Sequence, residues 1–146
     1  MTIAPCVTFY GCCLEAVEFY SRVFPVKSKT VLFFRDLNGP FSGWINPQNE
    51  NLVHSATIRF QCGTVVTFKD SLAMIYKDGE NACGNKDNVV FEVSDLSSEE
   101  IQQIYSSFMQ DKAVANIPLG PRPDNQLYTS FIDRFGVCWN LTGSRD

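Results

Sequence analysis

The feature that most constrains the fold is an order of predicted elements that occurs twice in the 146-residue chain. In the first half, a strand over residues 3–10 precedes a helix over 13–24, and three further strands follow. In the second half, a strand over 88–93 precedes a helix that begins with the capping box Ser97-x-x-Glu100. Three strands follow again, so the repeated order predicts an internal duplication.

Hydrophobic spacing distinguishes the helices from the strands. The first helix places apolar side chains on one face at 3.6-residue spacing, whereas the strands are short runs of β-forming residues between turn formers. Residues 36–51 and 120–123 are dense in turn formers and predict loops. The remaining strands are predicted over 31–34, 53–60, 64–69, 114–117, 128–132 and 137–141.

A polar segment with two glycines, residues 77–87, is the best candidate for a linker between the halves. It gives a first module at about 1–76 and a second at about 88–146. The hydrophobic fraction of 45% is enough to bury a core at this length. We therefore expect one domain over residues 1–146, built from two modules.

Charge and composition exclude several classes of function. The net charge is −4 and no basic run occurs, so nucleic-acid binding is not expected. No stretch of about 18 apolar residues predicts a membrane span. The first residues lack the pattern of a signal peptide, so we expect a cytoplasmic protein. The six cysteines form no C-x-x-C pair and are expected to be free thiols.

Four short motifs in order along the chain resemble the glyoxalase/bleomycin-resistance (vicinal-oxygen-chelate) superfamily, in particular its PhnB-like branch. The sequence matches are Val7-Thr8-Phe9-Tyr10-Gly11, Glu15-Ala16-Val17-Glu18-Phe19-Tyr20, His54-Ser55-Ala56 and Asp133-Arg134-Phe135-Gly136-Val137-Cys138-Trp139. The resemblance implies an α+β fold in which two βαβββ modules form a cupped mixed sheet with helices on the convex face. It also implies a homodimer.

The superfamily's enzymes hold a metal between the modules, on the first and last strand of each. The resemblance carries these ligand positions to Pro5, Thr67, Asn88 and Asn140. None of them is His, Asp or Glu, so we expect no bound metal and no cofactor. Some members of the branch carry a methyltransferase label, but no Gly-rich loop follows an early strand here, and methyl transfer is unsupported.

Two residues are candidates for acid–base catalysis. Glu92 alternates with apolar neighbours on its strand and should face the cup, where an apolar pocket would raise the pKa of a carboxylate. The alternative is a carboxylate that reaches the rim and is paired or solvated. His54, the only histidine, is expected to be a structural residue with a hydrogen-bond partner, and a catalytic base is the alternative.

Other residues are candidates for ligand binding or for thiol chemistry. Cys12 and Cys13 lie at a predicted helix start, where the helix dipole can lower a thiol pKa; the alternative is two buried small side chains. The ligand-binding candidates are Arg59, Thr67, Asn88, Asn140, Trp44 and Tyr128.

Three functions are compatible with this sequence. A protein that binds a small organic molecule in the cup between the modules comes first, because the expected metal ligands are missing. A metal-independent lyase or isomerase that uses Glu92 as its acid or base is the alternative. A thiol sensor that uses Cys12 or Cys13, and a metal-dependent glyoxalase or dioxygenase, rank below both.

Overall fold

The chain divides into two compact units at the boundary between residues 87 and 88. The computed structural model describes residues 1–37, 43, 45–71 and 88–145. The expected linker at 77–87 lies outside the described residues. No helix in the described part of the chain is long and apolar enough to cross a membrane.

The first unit, module one, is a four-stranded mixed sheet with one helix. Its strands lie in the order β1-β4-β3-β2; β1 is parallel to β4, and the other neighbours are antiparallel. The elements are β1 (Cys6–Phe9), α1 (Cys13–Val23), β2 (Val26–Phe33), β3 (Val53–Phe60) and β4 (Val65–Asp70).

The second unit, module two, repeats this topology. Its strands lie in the order β5-β8-β7-β6, with β5 parallel to β8 and the rest antiparallel. The elements are β5 (Val90–Leu96), α2 (Ser98–Gln110), β6 (Val114–Pro121), β7 (Gln126–Ile132) and β8 (Cys138–Ser144). The predicted duplication of a βαβββ unit is confirmed.

The two strands that most exceed their predicted lengths, β2 and β6, both lie at a sheet edge. β2 begins at Val26, ahead of the predicted 31–34, because the polar residues of its first half are exposed and give no hydrophobic signal. β6 continues through Gly120 and Pro121, where the turn-forming residues predict a loop. An edge strand pairs on one side only, so it tolerates proline and the register irregularities between Ala115 and Gly120.

Aromatic packing joins the helix and the sheet in each module. In module two the fully buried Phe108 of α2 lies 4.7 Å from the ring of Phe131 and 5.4 Å from that of Trp139. In module one the buried Tyr20 of α1 lies 5.9 Å from Phe68. Burying one such ring is worth about 2–3 kcal/mol, so these contacts fix which face of each sheet the helix covers.

The turn between β7 and β8 is held by one buried carboxylate. Asp133 Oδ1 accepts the backbone N–H groups of Phe135 and Val137, each at 2.9 Å, and its Oδ2 accepts the indole N–H of Trp139 at 2.9 Å. Gly136 completes the turn at a positive φ of 86°, which glycine adopts without strain. The Asp-x-Phe-Gly-x-x-Trp motif is therefore a structural device.

A second buried carboxylate supports the start of α1. Asp70, at the end of β4, accepts the backbone N–H groups of Gly11 and Cys13 on one oxygen and that of Val53 on the other. Burial raises the pKa of Asp70, against the opposing effect of the three donors. In module two the predicted capping box stabilises the start of α2. The side chains of Ser97 and Glu100 each accept the other's backbone N–H.

We expect Asp133→Ala to lower the free energy of unfolding by about 3 kcal/mol, because three buried donors lose their charged acceptor. Urea denaturation of the variant and the wild type measures the change. Asp124→Ala, at a half-exposed carboxylate, is the matched control. An effect of Asp133→Ala no larger than the control's would contradict the structural role of the motif.

Candidate functional site

The candidate site lies on the face of the module-two sheet that α2 does not cover, which we call the helix-free face. Side chains alternate along a strand, and Phe131 and Trp139 point toward α2. Glu92, Ser130 and Asn140 therefore point away from the helix. The register makes them neighbours, since Glu92 pairs with Asn140 and Asn140 pairs with Ser130.

This face carries a cavity of about 520 Å³. Its volume falls within the range of about 300–1,000 Å³ that is typical of small-molecule sites. Three of the predicted site residues, Glu92, Tyr128 and Asn140, are brought together in it. The full lining consists of Glu92, Val93, Ser94, Arg122, Tyr128, Asn140 and Thr142.

The Asn140 amide is oriented by a neighbouring hydroxyl. Ser130 Oγ donates to Asn140 Oδ1 at 2.8 Å, while the Cys138 thiol lies 4.0 Å from the same oxygen. With its oxygen engaged, the amide keeps its two N–H donors without a partner among the described residues. Asn140 is thus a positioned hydrogen-bond donor in the lining of the cavity.

Arg122 also lines this cavity, and it is not among the site residues that the sequence predicts. It lies at the β6–β7 hairpin, where its backbone N–H donates to the Gln126 carbonyl at 2.7 Å. Its guanidinium carbon lies 4.9 Å from the centre of the Tyr128 ring, a cation–π contact. The only sequence signal was a single arginine between two prolines, in a segment interpreted as a loop.

The surroundings of Glu92 differ from the sequence expectation. The side chain is exposed, and most of the cavity lining is polar. Glu92 therefore agrees with the alternative of a solvated carboxylate and does not lie in an apolar pocket, because β8 and β7 place an amide and hydroxyls on this face. No carboxylate-to-cation pair involves Glu92 within the described residues.

Strand register also corrects the predicted metal-ligand positions. Asn88 precedes β5, and the residue that pairs with Asn140 is Glu92. A single carboxylate beside a neutral amide and a hydroxyl is a poor donor set for a transition metal. Within residues 1–37, 43, 45–71 and 88–145, no three His, Cys, Asp or Glu side chains come together as metal ligands.

The module-one candidates lie on the helix-free face of their own sheet. Thr67 pairs with Thr57. The exposed Arg59, two residues further along β3, pairs with Val65. The Thr67 hydroxyl donates to the Pro5 carbonyl at 3.0 Å, so its hydrogen is already engaged. A ligand role for Arg59 and Thr67 stays a prediction. Trp44 lies outside the described residues.

His54 occupies an irregularity in β3. Leu32 pairs with Ser55 and Phe33 with Val53, which leaves His54 as the extra residue of a bulge. Its ring lies edge-on to Phe34, at 5.3 Å between ring centres. Its Nδ1 is buried and finds no hydrogen-bond partner in the described part of the chain, contrary to the expected structural partner.

The thiols at the start of α1 do not have the environment of a reactive thiolate. Cys12 and Cys13 are both buried. Burial raises the pKa of Cys13 strongly, and the nearby Asp70 carboxylate raises it further. Desolvation therefore outweighs the helix terminus, and the alternative interpretation as small buried side chains describes these residues better.

Comparison with known proteins finds related architectures among solved structures. Protein PA1353 from Pseudomonas aeruginosa superimposes with a TM-score of 0.71 at 21% identity, over 100% of this chain and 99% of that one. The PhnB protein of Bacillus cereus, provisionally described as a 3-demethylubiquinone-9 3-methyltransferase, gives 0.69 at 24% identity, over 99% and 100%.

A glyoxalase/bleomycin resistance protein/dioxygenase family enzyme from Burkholderia phytofirmans gives a TM-score of 0.55 at 8% identity, over 94% of both chains. Neither the protein-family models nor the curated proteins give a match. The two-module topology and these likenesses define the glyoxalase/bleomycin-resistance fold. The PhnB protein of Bacillus cereus is one of the solved structures that share this fold with the chain.

We expect alkylation of the native protein by iodoacetamide at neutral pH to modify Cys62 before Cys13. Cys62 is exposed, and hydrogen bonding with Thr64 lowers its pKa, whereas burial keeps Cys13 protonated. Mass spectrometry of peptides taken over time measures both rates. In concentrated guanidinium chloride both should react; equal rates in the native protein would contradict the burial of Cys13.

Proposed function

We propose that this protein is a member of the PhnB-like branch that binds a small organic molecule, without a metal, in the cavity of module two. One observation carries the proposal: donors, an acceptor and an aromatic ring converge there on a single sheet. The Asn140 amide and the Arg122 guanidinium supply donors, the Glu92 carboxylate supplies an acceptor, and Tyr128 supplies the ring.

Paired strands and a hydrogen-bonded hairpin hold the residues of the site in place, which favours binding. Asn140 and Tyr128 lie on β8 and β7, two strands that pair along their whole lengths. The hairpin hydrogen bonds hold the backbone of Arg122. Groups that are positioned before the ligand arrives lose little conformational freedom on binding, so weak individual contacts add up to useful affinity.

A metal-independent enzyme is the second candidate, because Glu92 lines the cavity beside the Asn140 donors. In this scheme a Glu92 oxygen takes a proton from the bound molecule, and the Asn140 N–H groups stabilise negative charge that develops on it.

The cytoplasm is the proposed location, since the five described cysteines are free thiols, which is typical of a reducing compartment.

The proposal includes a homodimer, and an apolar row on the helix-free face, with three exposed members, supports it. Val90 pairs with Cys138, Cys138 with Ile132, and Ile132 with Val114, so these four side chains cross the sheet in one line. Val114 is 67% exposed and Val90 is 50% exposed. Covering such a row with a second copy removes apolar surface from water.

We expect compounds from a fragment library that raise the melting temperature to shift the amide NMR signals of β7 and β8. Asn140→Asp should weaken their binding at least tenfold, because it keeps the oxygen that Ser130 binds and replaces the two N–H donors with an acceptor. The same binding should persist in a chelator, since no metal takes part.

Asn116→Asp, on the exposed edge strand β6, adds the same charge outside the cavity and should bind like the wild type. Absence of any hit, or an equal loss of affinity in Asn140→Asp and Asn116→Asp, would contradict the binding proposal. A new product signal that disappears in Glu92→Gln would replace binding with catalysis.

We expect Val114→Glu to shift a dimer to monomer, because it places a charge in the apolar row. Sedimentation equilibrium of the variant measures the mass. Ile3→Glu makes the same change at another exposed apolar residue outside the row and should leave the dimer intact. A monomeric wild type would contradict the homodimer.

A further inference from the structure

The cavity of module two holds two opposite charges that do not neutralise each other. Glu92 and Arg122 both line it, and no ion pair joins them in the described part of the chain. Arg122 has one carboxylate nearby, Asp124, at 3.8 Å from its Nε. Both side chains are about half exposed, so this pair is weak. The Nη groups of Arg122 make no hydrogen bond to a described residue.

The two charges lie at opposite sides of the cavity. Glu92 is on β5, while Arg122 lies over Tyr128 on β7, two strands away. Tyr128 is also two residues along β7 from Ser130, which is in line with Glu92. With strands about 4.8 Å apart and a rise of about 3.4 Å per residue, the Glu92 and Tyr128 Cα atoms are separated by about 12 Å.

The space between the charges is lined by neutral polar groups. Asn140 lies on β8, between β5 and β7, and presents its N–H donors there. Thr142 is next on the same face and pairs with Tyr128. A ligand that spans the cavity therefore meets an acceptor at one end, hydrogen-bonding groups in the middle and a guanidinium at the other end.

A ligand with a single charge satisfies only half of this arrangement. An anion can pair with Arg122 through two parallel hydrogen bonds, but it leaves the Glu92 carboxylate without a partner. A cation at Glu92 leaves the Arg122 guanidinium without one. A molecule with both charges pairs with both residues.

We propose that the cavity selects a zwitterion with a polar middle, of the size of a short peptide with free ends. Its ammonium group binds Glu92, its carboxylate binds Arg122, and its central carbonyl oxygens accept from Asn140. Three extended residues span about 10 Å, close to the separation of the two sides. This inference rests on the proposed function and adds the class of ligand.

Four matched peptides test it: triglycine, triglycinamide, N-acetyltriglycine and N-acetyltriglycinamide, which carry both charges, only the positive, only the negative, or none. Titration of the 146-residue chain, followed by amide NMR, gives each affinity. We expect triglycine to shift signals of β5, β7 and β8, and to bind at least tenfold more tightly than either singly charged peptide.

Two charge-removing variants assign the ends. Arg122→Gln should reduce triglycine binding to the level of triglycinamide and leave triglycinamide itself unchanged. Glu92→Gln should reduce triglycine binding to the level of N-acetyltriglycine and leave the binding of N-acetyltriglycine itself unchanged. The matched controls are Arg35→Gln, which removes an arginine stacked on Phe33 in module one, and Glu99→Gln, which removes an exposed carboxylate of α2; both should bind like the wild type.

The outcomes separate the two proposals. If a singly charged peptide binds as tightly as triglycine, or if neither variant changes the order of affinities, the zwitterion inference is overturned. If fragment hits bind at β7 and β8 while triglycine does not, the ligand class is wrong and the binding function stands. If neither fragments nor peptides bind, both proposals fall.

Discussion

The architecture depends on one constraint: each four-stranded sheet has a single helix and can bury only one of its faces against it. Alternation along the strands sends Phe131 and Trp139 to the helix and Ser130 and Asn140 to the other side. The fully buried apolar residues lie on the covered face, where burial stabilises the module. The polar groups of the candidate site lie on the helix-free face, beside the apolar row of Val90, Cys138, Ile132 and Val114.

The Asp-x-Phe-Gly-x-x-Trp motif, one of the four that carry the family resemblance, serves the fold and not the chemistry. Asp133 spends both carboxylate oxygens on the turn and on the indole of Trp139, on the helix side of the sheet. A residue so fully engaged in structure has no free group for a ligand. For this reason the motif predicts the architecture well and says nothing about what the protein binds. Function has to be argued from Glu92, Asn140 and Arg122 instead.

The site itself combines a rigid floor with charged ends. Strand pairing fixes Asn140 between its neighbours, and the Ser130 hydroxyl fixes the orientation of its amide. Arg122 reaches the same cavity from a hairpin, held against Tyr128. The floor offers neutral hydrogen bonds, whereas the ends offer full charges of opposite sign. Such an arrangement is better suited to binding a charged ligand than to the metal-based Lewis-acid chemistry that the family resemblance implies.

The sequence by itself determined the duplicated βαβββ order, both helices and the central strands, because periodicity and turn residues are local signals. It also identified Glu92 as a site candidate through strand alternation, whereas Asn140 became a candidate through the family resemblance. Only the tertiary structure decided that Glu92, not Asn88, pairs with Asn140, since register depends on bulges and partners far along the chain. Arg122 joined the site for the same reason: a hairpin brings it over Tyr128, and no spacing in the sequence records that approach.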